Sequence, residues 1–130
     1  MNRALVVTTP DVSAVRDTDR IIGVLESCSV SNIELIVNRV CMDKVRRGDM
    51  MAVEDVAEVL VTNLIGVIQE EARAVTTSIH QGKPVVLSKE SLVGKAIDHI
   101  ARRIQGEQVA FMPLESSTNL MGKLKRLLNL

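Results

Sequence analysis

Phe111 is the only aromatic residue in a chain of 130. Base-stacking and sugar-stacking platforms are built largely from aromatic rings, so a stacking nucleic-acid or carbohydrate surface is not expected. Charge of one sign is also lacking: 16 basic residues balance 16 acidic ones. A general nucleic-acid binder would carry a basic excess. Histidine and cysteine are scarce, and His80, His99, Cys28 and Cys41 show no metal-ligand spacing. No metal site is expected, and the cysteines read as reduced thiols.

Three sequence devices for chemistry are missing as well. There is no G-x-x-x-x-G-K-[ST] loop, no G-x-G-x-x-G turn and no G-x-S-x-G elbow. The Gly94-Lys95 pair lies inside a helical pattern, not between a strand and a helix. No complete active site is legible. No leader-like segment opens the sequence, and no apolar run reaches the roughly 18 residues of a membrane span.

What is present is an alternation of apolar strands with helical stripes. "ALVVTTP" (Ala4 to Pro10) reads as a buried strand and a helix start. Thr9 is placed to cap, Pro10 to open the first turn and Asp11 to meet the helix dipole. The helix extends to about Ser27, with Val12, Val15, Ile22 and Leu25 inward. "IELIVNR" (Ile33 to Arg39) and "LIGVI" (Leu64 to Ile68) are further strands, and a short helix runs from about Val53 to Leu60. "QEEARAVTTSIHQG" is helical up to Gly82, and "PVVL" reads as a short fourth strand. Ser91 caps a last helix whose stripe is Val93, Ala96, Ile97, Ile100, Ala101 and Ile104, with Gly106 as its stop.

Strands apolar on both faces, separated by helices, predict an α/β fold: a parallel sheet with helices on both faces. Residues 1–106 form the domain, 107–118 a linker from which "VAFMPL" can dock, and 119–130 a separate helix. An apolar strand such as Leu5 to Thr8, if left at a sheet edge, is an aggregation risk.

Ligands in such sheets lie beyond the carboxyl ends of the strands. Those positions are Thr8 and Thr9, Asn38 and Arg39, Gln69 to Glu71, and Ser88. Asn38 has two readings: an amide that pairs with adenine, or a turn residue satisfying its own loop. Arg39 suits a phosphate or a surface carboxylate. Arg16, Asp17, Asp19 and Arg20 form a mixed-charge patch, either a solvated face or a docking face.

The tail "NLMGKLKRLLNL" is amphipathic. At about 100° per residue, Leu120, Met121, Leu124, Leu127 and Leu128 fall within an arc of roughly 120°. Lys125 and Arg126 fall opposite, and Lys123 lies at the margin, where its stem can snorkel. A membrane surface, a partner's groove and the core are its three possible destinations. Each basic residue near an anionic leaflet contributes about 1 kcal/mol. One such tail binds reversibly, and two on a dimer bind far more tightly through effective concentration.

The segments "ALVVTTPDVSAVRDTDRIIGVLE", "LIVNRV", "GDMMAVEDVAEVL", "LIGVIQEEARAV", "GKPVVL" and "AIDHIARRIQGE", followed by the basic amphipathic tail, resemble in that order the C-terminal half of the MinD family. These are septum site-determining ATPases of the ParA/MinD group of P-loop proteins. The resemblance implies the C-terminal part of a P-loop ATPase domain, with ATP and Mg2+ as the intact family's cofactors. The phosphate loop and magnesium ligands belong to the family's other half, so this chain alone is expected to bind nucleotide weakly and not to hydrolyse it. Asn38 then matches the adenine-reading asparagine, with Arg39 beside it. Gln69, Glu70 and Glu71 match a segment over the base that is usually Pro-Glu-Asp. Arg16, Asp17, Asp19 and Arg20 match the helix that binds the inhibitor MinC and the regulator MinE. Leu120, Met121, Lys123, Leu124, Lys125, Arg126, Leu127 and Leu128 match the membrane-targeting helix. The implied cycle is ATP-driven homodimerisation, attachment to anionic lipid on the inner face of the cell membrane, and recruitment of MinC to block FtsZ assembly away from midcell. Two other readings are a free-standing α/β interaction module without nucleotide and a DNA-binding ParA-like partition protein. Balanced charge and the tail count against the second, and no nucleic-acid partner is expected.

Overall fold

A computed structural model describes residues 3–88, 90–114 and 127–128. The elements are β1 (Arg3–Thr8), α1 (Val12–Ser27), β2 (Asn32–Val40), α2 (Met42–Arg46), α3 (Val53–Leu60), β3 (Asn63–Gln69), α4 (Ala72–Gln81) and α5 (Leu92–Ile104). The strands form one parallel sheet in the order β1-β2-β3, with Val6 opposite Leu35 and Leu35 opposite Leu64.

β2 is the central strand and is apolar on both sides because both sides are covered. On one face Val6, Leu35, Val37 and Val40 meet Val15 and Ile22 of α1 and Val53, Val56 and Leu60 of α3. On the other, Ile36 and Ile65 meet Ile100 of α5, with Ile68 and Ile104 packed beside them. Gly66 allows that second contact, since a Cβ there would run into Cγ1 and Cδ1 of Ile100. Close packing leaves no room for one more carbon.

The structure departs from the sequence expectations in several places. Gln69 to Glu71, read as the start of a helix, are instead the end of β3 and the lead into α4, which begins at Ala72. "PVVL" is not a strand: Val85–Leu87 is a single 3-10 turn closed by Leu87 N–H to Pro84 O at 3.1 Å and Ser88 N–H to Val85 O at 3.0 Å. The first turn of α5 presses on it. A Cβ on Gly94 would lie 2.6 Å from the Val85 carbonyl oxygen. The start of α1 is displaced by two residues. Asp11 is its N-cap, Thr9 Oγ1 donates to Asp11 Oδ2 at 2.8 Å, and Pro10 is buried ahead of the helix. Val12, at the margin of the apolar stripe, faces solvent while Thr18 takes an inward place and donates to Ala14 O at 2.8 Å. β1 is covered on one face only, because α5 packs over β3; Leu5 and Val7 remain 43% and 57% exposed.

Ser91 caps α5 as expected, its Oγ accepting from Gly94 N–H at 3.1 Å, and Gly106 follows the helix at φ 91°. The segment beyond α5 docks on the body. Arg103 donates to Ile65 O at 3.0 Å, Val109 O at 3.0 Å and Ala110 O at 3.1 Å, and its guanidinium lies 4.0 Å from the Phe111 ring centre. Burial lowers the Arg103 pKa. Leu114 packs against the α1–α3 side of the core. Leu127 and Leu128 are exposed, while the expected helix residues Leu120, Met121, Lys123, Leu124, Lys125 and Arg126 lie outside the described residues. Among the described residues, no helix is long and apolar enough to cross a membrane.

Candidate functional site

The parallel ladder is interrupted where β2 ends. Its register with β3 shifts between Val37 and Val40, and Arg39 takes a left-handed conformation at φ 59°. An irregularity of this kind releases two residues from the ladder and re-aims their side chains. The released residues are Asn38 and Arg39. Asn38 is half-buried, and its Oδ1 accepts from Arg39 N–H at 2.9 Å. That bond is the turn role read from the sequence. It occupies one lone pair of Oδ1, leaving a second lone pair and the Nδ2 donors for another group.

The end of β3 lies alongside. Glu70 N–H donates to Val40 O at 2.8 Å, and Arg39 Nη2 stands 3.2 Å from Glu70 Oε1. Arg39 is largely exposed, so this ion pair orients the two strand ends more than it stabilises them. Glu71 turns away from its neighbour. Its carboxylate accepts from Ser91 Oγ at 2.6 Å and from the backbone N–H groups of Leu92 and Val93, both at 3.3 Å. A carboxylate at a helix N-terminus satisfies orphan donors and meets the positive end of the dipole.

Together these residues line one cavity of ≈ 520 Å³: Asn38, Arg39, Gln69, Glu70 and Glu71, walled by Ile68, Ala72, Val75, Thr76, Val85, Val93 and Ile97. An amide edge facing apolar walls suits a flat, partly polar ring. The sequence reading missed the walls from α4 and α5, which no strand-end rule identifies. It also missed that Glu71 is committed to α5. Thr8 and Thr9 lie at the end of β1 and do not line this cavity; Thr8 is buried and donates to Thr9 O at 3.1 Å. Ser88 lines a neighbouring cavity on the far side of α4, because the turn that replaces the fourth strand directs it there. Among the described residues, no group of three or more His, Cys, Asp or Glu is arranged to hold a metal ion.

Arg16, Asp17, Asp19 and Arg20 share the solvent side of α1, and Arg20 Nη1 lies 3.9 Å from Asp17 Oδ1. Beside them Ile21 and Val24 are exposed. The patch is therefore charged and apolar together, and its apolar part escaped a reading based on charge.

The chain is 47% identical over 125 residues to a MinD septum site-determining protein of Guillardia theta, a match that covers 95% of this chain and 45% of that relative. Over nearly its whole length the chain is similar to part of the MinD septum site-determining proteins. The structure agrees: the MinC:MinD cell division protein complex of Aquifex aeolicus superposes with a TM-score of 0.81 at 39% identity, over 88% of this chain and 47% of that one. MinD of Pyrococcus horikoshii, solved with Mg-ADP, superposes with a TM-score of 0.66 at 27% identity, over 79% of this chain and 41% of that one. No family model matches the sequence. The chain thus spans just under half the length of the MinD proteins it matches.

Proposed function

We propose that this chain is the base-reading, partner-docking and membrane-attaching portion of a MinD-like ATPase that places the division septum. The observation that carries the reading is the convergence of two strand ends on one cavity. Asn38 presents an amide there, and the apolar side chains of α4 and α5 supply a wall for the ring's face. Adenine offers N6–H to Oδ1 and accepts at N7 from Nδ2, a bidentate match. The usual proline of this segment is Gln69 here; the Glu70–Val40 backbone bond and the Glu71–Ser91 anchor supply the stiffness instead. ATP fits this cavity by its base. Its phosphates and Mg2+ require residues this sequence does not contain, since no glycine-rich phosphate loop is present.

The exposed face of α1 around Arg16, Asp17, Asp19 and Arg20 is the docking surface for MinC and a topological regulator such as MinE. The tail residues Leu120 to Leu128 attach the assembled homodimer to anionic lipid on the inner face of the cell membrane. There MinC is held where it blocks FtsZ ring assembly.

The test is a titration of the isotopically labelled chain with adenosine and with guanosine, followed by NMR. Adenosine should shift the Asn38 side-chain amide and the Glu70 to Ala72 backbone signals at millimolar concentration, and guanosine should not. Equal responses to both nucleosides, or none at Asn38, would contradict the assignment.

A further inference from the structure

A second cavity of ≈ 520 Å³ lies on the other side of α4 from Asn38, between that helix and the Val85–Leu87 turn. Its size falls in the range of small-molecule sites, about 300–1,000 Å³. Arg73, Thr77 and Gln81 stand four residues apart, with Ala74 and Ser78 beside them, so one side of α4 forms a wall. Gly82 ends the helix in the left-handed region at φ 62° and turns the chain back. Lys83 N–H then donates to Ser78 O at 3.1 Å, and Ser78 Oγ donates to Lys83 O. Pro84, Val85 and Leu87 follow as the facing apolar wall. Both walls are therefore fixed by the backbone.

The charges in this cavity do not balance. Arg73 and Lys83 line it, and among the described residues neither side chain has an ion-pair partner. Glu71 is the one carboxylate on its lining, and its oxygens are taken by Ser91 Oγ and the Leu92 and Val93 N–H groups of α5. Two uncompensated cations, hydroxyls at Thr77 and Ser88, and an apolar wall suit an anion that carries a small apolar body.

We propose that this cavity binds a soluble phosphate monoester, with Arg73 and Lys83 on the phosphate and Pro84, Val85 and Leu87 on the ester's carbon chain. A phosphate offers three free oxygens, enough for both cations and a hydroxyl, and carries about −1.5 to −2 charge at pH 7. A carboxylate offers two oxygens and one charge. The guanidinium fork and the ammonium meet phosphate oxygens by charge-assisted bonds. The inference does not use the adenine reading, and a failed adenosine titration leaves it intact.

The test titrates the isotopically labelled full chain with n-butyl phosphate, inorganic phosphate and n-butanol, followed by NMR. n-Butyl phosphate should give saturable shifts at Arg73, Thr77, Lys83 and Ser88 at about millimolar concentration. Inorganic phosphate should move the same signals about tenfold more weakly, since each buried methylene adds about threefold or more. n-Butanol should not saturate. Arg73→Gln and Lys83→Gln, on separate walls, should each weaken n-butyl phosphate about fivefold or more with an unchanged thermal melt. Leu87→Ser should weaken n-butyl phosphate and leave inorganic phosphate unchanged. Lys95→Gln, exposed on α5 outside the cavity, should change neither. Absence of saturable shifts would overturn the proposal. So would shifts centred on Asn38 instead, or equal losses with Lys95→Gln. Binding to phosphatidic acid vesicles that falls with Lys83→Gln while n-butyl phosphate is silent would assign the cavity to a lipid headgroup and also overturn it.

Discussion

Glu71 accepts a hydrogen bond from Ser91 Oγ at 2.6 Å, across twenty residues of sequence. This contact fastens the rim of the cavity to the first turn of α5, the helix that covers the sheet behind it. Ser91 in turn caps the helix through Gly94 N–H. Removing either partner leaves helix donors unsatisfied. Glu71→Ala should cost about 1–2 kcal/mol and Ser91→Ala about 1 kcal/mol. Urea denaturation of both single variants and the double variant checks the coupling. The double variant should lose less than the sum, whereas strict additivity would mean the two side chains act separately.

Gly66 is required by its distance from Ile100 rather than by its backbone. Gly66→Ala should destabilise the chain by about 1–3 kcal/mol through overpacking. Adding Ile100→Val makes room and should recover part of the loss. A thermal melt in which Gly66→Ala is neutral would show that α5 shifts freely over β3.

Val61 ends α3 in the left-handed region at φ 50°, with 87% of its surface exposed. A β-branched residue is strained there, and it buries almost nothing in return. Val61→Gly should raise stability by about 1 kcal/mol, read as a higher midpoint of denaturation. A lower midpoint would show that the chain depends on the Val61 side chain.

Arg102 holds the Glu107 carboxyl below its ordinary value of 4.5, first by a hydrogen bond and then by charge. A carboxylate whose folded pKa is depressed stabilises the fold above its unfolded value, and that contribution disappears as pH falls through the folded one. The Tm difference between the wild-type chain and Glu107→Gln should therefore be present above pH 4.5 and shrink below it. Because the pair is on the surface, the difference should be small and should fall with added salt. A difference that does not change with pH would assign it to packing.

The parallel sheet was legible because Ile33 to Val37 and Leu64 to Ile68 are continuous apolar runs, and β2 is covered on both faces. Local signals also placed α3 and the ends of α4 and α5, where Gly82, Ser91 and Gly106 act on their nearest neighbours. What escaped depends on distant partners. "PVVL" has strand propensity, but it is held as a turn against the first turn of α5, where Gly94 closes on the Val85 carbonyl. The cap that Glu71 gives α5 comes from far upstream, so no capping-box spacing reveals it. The same holds at the cavity. Asn38 and Gln69 to Glu71 follow from strand ends, whereas Val75, Val93 and Ile97 become walls only once α4 and α5 are folded over them.

The central claim is that the Asn38 amide reads adenine. It is tested most directly in a chimaera in which this chain replaces the segment it matches in the Guillardia theta relative. ADP affinity is measured by calorimetry for Asn38 and for Asn38→Asp, a change that keeps shape and acceptor but removes the donor to N7. The account predicts a loss of about tenfold or more in ADP affinity, with the fold intact by circular dichroism. Equal affinity of the two proteins for ADP would contradict it.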